Sequence, residues 1–388
     1  MSSDAISSLA VNSARRAQRA QGAFVKSLSA NDTGLTKSHQ AGFLVNRYVG
    51  RRLFSFLDSG EALAARSISI KWMRSGVVTS STARWYSSKS EYRVTGSIGS
   101  LITPSMTGDL LVMTRVGERE FEIATFEREV DIEYIRRELE ISPTAVFALV
   151  GDHQLRAREA KVFADYLHML DGFPSTSVLS TDARRIYDRV YGNQDLASCD
   201  PDKRLIGWVD IEFRLFQEIE RAMVYPEIQR GFRSIEDFIA LANQVKNRRA
   251  SRAGASLENH IEQVLSDNNV RFSAQAVTEL RKRPDFLFPS AEAYKDANFP
   301  DVGLTMLAVK TTCKDRWRQV NMEANRIQNK HLLTLQQGIS PAQLAEMKDA
   351  GISLVVPKPL HGFYAPENRP ELWTLKRFIT YVRSKETA

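Results

Sequence analysis

An aspartate that opens one short apolar run and a lysine that closes another, 25 residues later, are the first pair in this chain suited to hydrolysis. Asp285 follows Pro284 and precedes "FLF"; Lys310 ends "MLAVK". Cleaving a phosphodiester needs a hard cation on the phosphate, an activated water and positive charge at the transition state. Mg²⁺ takes oxygen ligands, commonly one or two carboxylates completed by water and phosphate. A nearby lysine neutralises developing charge. If the two runs are adjacent strands, both side chains reach one sheet edge. In many Mg²⁺-dependent nucleases an acid stands two residues before such a lysine, but here the triplet is Ala308-Val309-Lys310. The ordinary account of these residues is a Pro-Asp turn and a solvent-facing lysine. The hydrolytic account needs a carboxylate from elsewhere.

One candidate follows the lysine. The segment "DRWRQVNMEANRIQNK" (315–330) reads as a helix, with Trp317, Val320, Ala324 and Ile327 spaced as its buried face. Glu323 shares another face with Arg316 and Gln319. Packed beside the lysine strand, such a helix could return the Glu323 carboxylate to the strand end. A solvated face, with Glu323 paired to Arg326 or Gln319, is the other reading.

The elements that must position these residues fall into two halves. From about 24 to 165 the chain is strand-rich: "RSISIKWM", "RWYSSKSEYRVTG", "DLLVMTRV" and "EFEIATF" are short, β-branched or alternating, and separated by turn residues. "DIEYIRRELE" and "AREAKVFADYLHML" read as helices. The Gly/Pro/Ser/Thr-rich stretch from 171 to 204 reads as a linker. Beyond it, "DIEFRLFQEIERAMV", "SIEDFIALANQVKNRR" and "SLENHIEQVLSDN" have helical periodicity. Ser234 and Ser256 are candidate N-caps. Helices then alternate with apolar strands, so this half is α/β. The expected division is 1–170, a linker at 171–204, and 205–388.

The 388 residues allow two or three domains. At 43% hydrophobic and 26% charged the composition is that of an ordinary globular chain, and no run approaches the ~18–20 apolar residues of a membrane span. The net charge of +7 points to an anionic partner, nucleic acid first. Cys199 and Cys313, far apart, form neither a disulfide framework nor a zinc site by themselves, as expected of a cytoplasmic protein. The Ser/Ala/Arg-rich N-terminus reads as a basic arm or helix, although its composition overlaps with transit peptides.

"GFRSIEDFIALANQVKNRRASRAGASLENHIEQVL", "KRPDFLFPSAEAY" and "MLAVKTTCKDRWRQ" closely resemble the catalytic domain of the EcoRII family of type II restriction endonucleases. "VKSLSANDTG" and "HQAGF" resemble that family's N-terminal effector domain. The resemblance implies an N-terminal β-rich, B3-like pseudobarrel that binds DNA and a C-terminal α/β domain with a variant PD-(D/E)xK site. In that variant the second acid moves onto the helix after the lysine strand, so Asp285, Lys310 and Glu323 form the metal and water site. Glu258 matches a further acid near the site, although a carboxylate favoured by a helix N-terminus explains it equally. Tyr294 matches another residue near the site, either catalytic, packing or phosphate-contacting.

Lys314, Asp315 and Arg316 fall where related enzymes read C:G pairs. The chemistry suits, since Lys or Arg donates to guanine O6 and N7 and Asp accepts from cytosine N4. A helix start capped by Asp315 is the alternative. Phe213 aligns with an aromatic that stacks on a flipped base. The cationic partner is not evident from "GWVD", where Trp208 either substitutes or is core. Arg248, Arg249 and Arg252 are phosphate contacts or a basic turn. In the first half, His39, Gln40, Tyr86, Lys89, Glu91 and Arg93 match DNA-contacting stretches of the effector domain.

The implied protein is a Mg²⁺-dependent homodimer that cuts double-stranded DNA at a CC/GG-flanked near-palindrome, most simply CCWGG before the first C. A second target copy acts as effector, and the effector domain covers the cleft until it binds. The implied setting is the cytoplasm of a bacterium or archaeon, with a cognate methyltransferase. A DNA-binding regulator with a decayed nuclease domain is the alternative.

Overall fold

The computed structural model describes residues 5–36, 42–57, 63–152, 157–195 and 200–386. Its first half is built on eight strands: β1 (Ala23–Ser27), β2 (Gly42–Asn46), β3 (Leu63–Trp72), β4 (Val78–Tyr86), β5 (Glu91–Gly96), β6 (Leu110–Arg115), β7 (Glu120–Phe126) and β8 (Phe147–Leu149). They form one sheet in the order β2-β5-β4-β3-β7-β6-β1-β8, antiparallel except for β3 beside β7. Among the described residues the end strands do not pair with each other. Alternation puts Phe24, Phe43, Trp85, Tyr92 and Phe121 into one core. The opposite face packs on α1 (Ser8–Arg19) and α3 (Glu129–Glu138), while α2 (Arg47–Leu53) lies against β2 and β5. The expected basic N-terminal helix exists. Ala10, Ala14 and Ala17 face inward, small enough to let α1 lie close to the sheet, and Ser7 caps it.

The second half holds a mixed five-stranded sheet: β9 (Ser273–Ala274), β10 (Phe286–Phe288), β11 (Thr305–Lys310), β12 (Lys330–Thr334) and β13 (Ile352–Val355), ordered β13-β12-β11-β10-β9. β9, β10 and β11 run antiparallel, and β12 and β13 continue parallel. Around it stand α4 (Ala157–Leu167), α5 (Thr176–Asp195), α6 (Pro201–Arg230), α7 (Ile235–Asp267), α8 (Ala291–Lys295), α9 (Trp317–Val320), α10 (Pro341–Asp349) and α11 (Leu375–Glu386). No helix among the described residues is long and apolar enough to cross a membrane.

Three sequence expectations change. The span 171–204 is mostly helical, and Phe163 of α4 and Leu179, Ala183, Ile186 and Tyr187 of α5 sit in the core of the second half. The punctuating residues cluster only at its start, and the apolar periodicity behind them prevails. Second, 234–249 and 256–268 are one helix. Ser234 caps it, whereas Ser256 is buried mid-helix, because the Ala- and Arg-rich join propagates helix well and tolerates Gly254. Third, the helix expected over 315–330 stops after one turn at Val320, and Ala324 adopts a left-handed φ of 48°. Trp317, Val320, Ala324 and Ile327 are all buried as the pattern required, but a short helix and a turn bury them.

Candidate active site

The register of β10 on β11 assembles the first pair. Phe286 lies opposite Leu307, so one step further Asp285 faces Ala308. The small, fully buried Ala308 stands where an acid is absent, and the carboxylate reaches that edge from the neighbouring strand. Asp285 Oδ2 accepts hydrogen bonds from the Val309 backbone N–H at 2.7 Å and from Lys310 Nζ at 3.2 Å.

Two more carboxylates share this field. Burial pushes Glu323 up to about 7; the Asp285 charge adds to the rise and Lys310 opposes it. Among the described residues no side chain hydrogen-bonds the Glu323 carboxylate. Glu258, on α7, is also raised, first by burial and then by Asp285, with Lys310 and Gln275 opposing. The helix begins at Ile235, about six turns before Glu258 by the ~3.6-residue period. A favourable helix N-terminus therefore no longer accounts for this acid. Gln275, which no motif singled out, joins the two sides. Its Nε2 donates to Glu258 Oε2 and to Asp285 Oδ1, each at 3.0 Å.

Tyr294 lies outside this cluster. Its hydroxyl donates to Glu279 Oε1 at 2.6 Å and accepts from the Arg326 backbone N–H at 3.4 Å. Burial, reinforced by Glu279, raises its pKa. It therefore braces the turn that carries Glu323.

The donor set fits Mg²⁺. Asp285 and Glu323 offer hard oxygens beside a lysine, and the unbonded, proton-holding Glu323 carboxylate is a group that a cation would relieve. Among the described residues no three His, Cys, Asp or Glu side chains form a ready metal cage. Mg²⁺ does not need one, since water and phosphate complete its shell.

The three expected base readers are brought together four to six residues beyond Lys310, and every one is held by the first half of the chain. Lys314 Nζ is bonded to Asp109, and both are buried. Arg316 donates through its backbone N–H at 3.0 Å and Nε at 2.5 Å to Glu129, and through Nη2 to Glu133. The Asp315 backbone N–H donates to Glu129 Oε1 at 2.5 Å, and the Glu129 N–H returns a bond to Asp315 Oδ2 at 3.1 Å. Glu129 and Glu133 are one turn apart on α3. Desolvation raises Glu129, and the Arg316 and Asp315 donors oppose that rise.

The cover extends over the cleft. A cavity of about 530 Å³ is lined by Glu133, Arg136 and Glu140 on one side and by Phe213, Arg252, Glu258 and Lys310 on the other. That is the size of a small-molecule pocket. Arg249 pairs with both Glu220 of α6 and Glu140 of the first half, so it is not free for phosphate. Arg252 is half-buried with its guanidinium 5.0 Å from the Phe213 ring centre, and desolvation lowers its pKa. The cationic neighbour of Phe213 thus comes from α7, while Trp208 is core. Arg248 stacks over Phe173 at 4.8 Å. All three arginines lie on a continuous helix, which excludes a basic turn.

In the first half Tyr86 ends β4 opposite Glu91 of β5, and Arg84 faces Arg93. Arg93 Nε donates to Glu91 Oε1 at 2.7 Å. These side chains share the half-exposed sheet face, with Lys89 exposed in the connecting turn. His39 and Gln40 lie outside the described residues.

A family model described as EcoRII C terminal matches residues 216–379, and one described as restriction endonuclease EcoRII, N-terminal, matches residues 17–147. The type II restriction enzyme EcoRII of Escherichia coli is 37% identical over 380 residues, 92% of this chain and 92% of that protein. Among solved structures, metal-depleted Ecl18kI in complex with uncleaved, modified DNA is 18% identical with a TM-score of 0.46, covering 58% of this chain and 83% of that one. The B3 domain of the UbaLAI restriction endonuclease with cognate DNA is 20% identical with a TM-score of 0.25, covering 37% of this chain and 94% of that one.

Proposed function

Since the chain belongs to the EcoRII family of type II restriction endonucleases, we propose that it cuts double-stranded DNA at CCWGG, before the first C, as a Mg²⁺-dependent homodimer. The observation that carries this reading is the meeting of Lys310 with Asp285 at 3.2 Å, opposite the alanine that replaces the usual acid, with Glu323 in the same field. Mg²⁺, when bound, supplies a Lewis acid for the scissile phosphate and lowers the pKa of the attacking water; Asp285 and Glu323 would hold it. Lys310 orients that water and meets the charge that develops on the phosphate. Glu258, tied to Asp285 through Gln275, keeps the aspartate turned toward the strand edge. Each subunit cuts one strand of a near-symmetric target.

Sequence reading belongs to Lys314, Asp315 and Arg316 in the major groove. Phe213, backed by Arg252, receives an extruded central base. The first half binds a second copy of the target through the face that carries Tyr86, Lys89, Glu91 and Arg93. Until it does, Asp109, Glu129 and Glu133 occupy the base readers. The division between the two units falls at 150–157, ahead of α4, which packs with the catalytic core. The setting is a bacterial or archaeal cytoplasm in which a methyltransferase protects the host sites.

The decisive experiment is digestion of unmethylated plasmid carrying several CCWGG sites, with Mg²⁺. Discrete fragments cut before the first C are expected. Tight binding of target DNA without cutting, at CCWGG and at other CC/GG-flanked sites, would overturn the nuclease reading.

A further inference from the structure

An acid two residues before Lys310 would be held by its own strand, since position 308 is paired with Leu332 of β12. Carrying that acid at Glu323 gives up this support. α9 is a single turn that ends at Val320, and Ala324 has a left-handed backbone that a side chain disfavours. Such a conformation persists only where its surroundings impose it. Val320, Ala324 and Ile327 are buried, but apolar burial is non-directional. It sets the depth of the turn and leaves the bearing of Glu323 open.

The directional contacts come from Arg326. Its guanidinium bonds Asp301 rather than Glu323, the partner that the sequence alone offers it. Nε donates to Asp301 Oδ1 at 2.9 Å, and Nη2 donates to the same oxygen and to the Phe299 carbonyl, both at 2.7 Å. Nη1 donates to the Asp296 carbonyl at 3.0 Å and to the Tyr294 carbonyl. All five N–H donors of the fork are thereby used, and the guanidinium also lies 5.6 Å from the Tyr294 ring centre. The neighbouring backbone is fixed as well: the Asn325 N–H donates to Glu279 Oε2 at 3.3 Å, and the Arg326 N–H to the Tyr294 hydroxyl.

The anchor points lead into the rest of the site. Glu279 stands in the turn that runs on to Asp285, and Phe299 and Asp301 precede β11, which ends at Lys310. The turn that carries Glu323 is therefore fastened to the segments that deliver Asp285 and Lys310.

We propose that Arg326 is a positioning residue for hydrolysis, a clamp that brings the Glu323 carboxylate to the cation shared with Asp285. The inference rests on the reading of Glu323 as the displaced acid. Mg²⁺ demands a near-octahedral shell, and a misplacement of about 1 Å costs catalysis steeply. Lysine, a point charge with three donors, cannot reproduce a planar fork of five.

The test is a double-mutant cycle on the full-length chain: wild type, Arg326→Gln, Glu323→Gln and the double variant. Mn²⁺, which suits the same oxygen ligands as Mg²⁺, is titrated into each and the free ion counted by electron paramagnetic resonance; plasmid cleavage with Mg²⁺ gives kcat and KM. Arg326→Gln should weaken Mn²⁺ binding about 10-fold and lower kcat about 10–100-fold, the range typical of groups that orient metal ligands. KM for DNA and the circular dichroism should stay as in wild type, and Arg326→Lys should fall between the two. In the Glu323→Gln chain, Arg326→Gln should weaken Mn²⁺ no further, because a residue that acts through Glu323 has nothing left to act on. Equal weakening in both backgrounds would make Arg326 a support of the fold at large and overturn the proposal, as would wild-type Mn²⁺ binding and kcat in Arg326→Gln. If Glu323→Gln itself binds Mn²⁺ and cuts like wild type, the displaced-acid reading falls, and the clamp with it. Should Arg326→Gln not fold, Asp301→Asn decides, since it keeps the carbonyl acceptors and removes the charge at the far end of the clamp. Weakened Mn²⁺ binding there supports the clamp, and wild-type binding overturns it.

Discussion

Arg316 holds Glu129 at two points, through its backbone N–H and through its guanidinium Nε, although the two residues lie in different halves of the chain. A carboxylate facing an arginine offers the acceptor geometry that a guanine edge or a phosphate also offers. Opening the cleft to DNA therefore means exchanging one set of acceptors for another, not desolvating Arg316 afresh. Charge-assisted hydrogen bonds of this kind contribute about 1.5–3 kcal/mol each. The Glu129→Gln chain, which keeps the shape and loses the charge, should cut a plasmid with one target site roughly 10-fold faster or more, while a two-site plasmid changes little. Initial rates on the two substrates check this, and equal one-site rates for variant and wild type would sink the proposed cover.

The displaced acid can be tested by subtraction. Glu323→Ala should abolish cleavage and leave specific binding of a target duplex in Ca²⁺ within about threefold of wild type, as expected of a group that acts on the reaction rather than on recognition. Lys310→Ala should do the same. A Glu323→Ala chain that still cuts would return the role to Glu258, the other half-buried carboxylate beside Asp285.

Protonation of Glu323 sets a pH dependence. Its pKa in the folded, metal-free chain is about 7, against about 4.5 in an unfolded chain. The folded state thus retains a proton that the unfolded state has lost between those values. Stability of the metal-free protein should fall as pH rises from about 4.5 to 7 and level off above, by an amount on the order of 1–3 kcal/mol. Mg²⁺ competes with that proton, so its apparent affinity should drop about tenfold per unit below pH 7 and plateau above it. Denaturation and Mg²⁺ titration at several pH values check both limbs, and both should flatten in Glu323→Gln.

How much of this was legible beforehand depends on the range of the interaction. Asp285 and Lys310 stood out because short apolar strands advertise themselves and an antiparallel neighbour brings the start of one to the end of the other. Glu323 is a candidate from its place after the lysine strand and is preferred over a solvated face only through the family resemblance, while its local setting differs from the expected helix. The burial pattern of Trp317, Val320, Ala324 and Ile327 is helical, whereas the left-handed backbone at Ala324 leaves no trace in that pattern. The merged α7 and the docking of α5 escaped because turn residues weigh heavily in local reading, while packing decides the outcome. No motif marks Asp109, Glu129 or Glu133 in the sequence. Only contacts across more than 180 residues give the last two their role.

Gln275 is the sharpest test of the site as drawn. It follows β9 with a left-handed φ of 51°, its backbone N–H donates to the Asp285 carbonyl at 3.0 Å, and its side-chain nitrogen serves two carboxylates that would otherwise repel each other. Partners that orient metal ligands typically carry 10–100-fold in metal affinity or activity. Gln275→Leu, close in volume but without a donor, should therefore lower kcat about 10–100-fold and weaken Mg²⁺ binding, while KM for DNA stays near wild type. Gln275→Glu places a third acid beside Glu258 and Asp285. The extra negative charge stabilises the protonated forms of its neighbours, so the acidic limb of the pH–rate profile should move to higher pH. A residue that merely fills space would leave that limb in place. If Gln275→Leu keeps wild-type kcat and Mg²⁺ dependence, Asp285 is held by Lys310 and the Val309 N–H alone, and Glu258 then has no part in the chemistry.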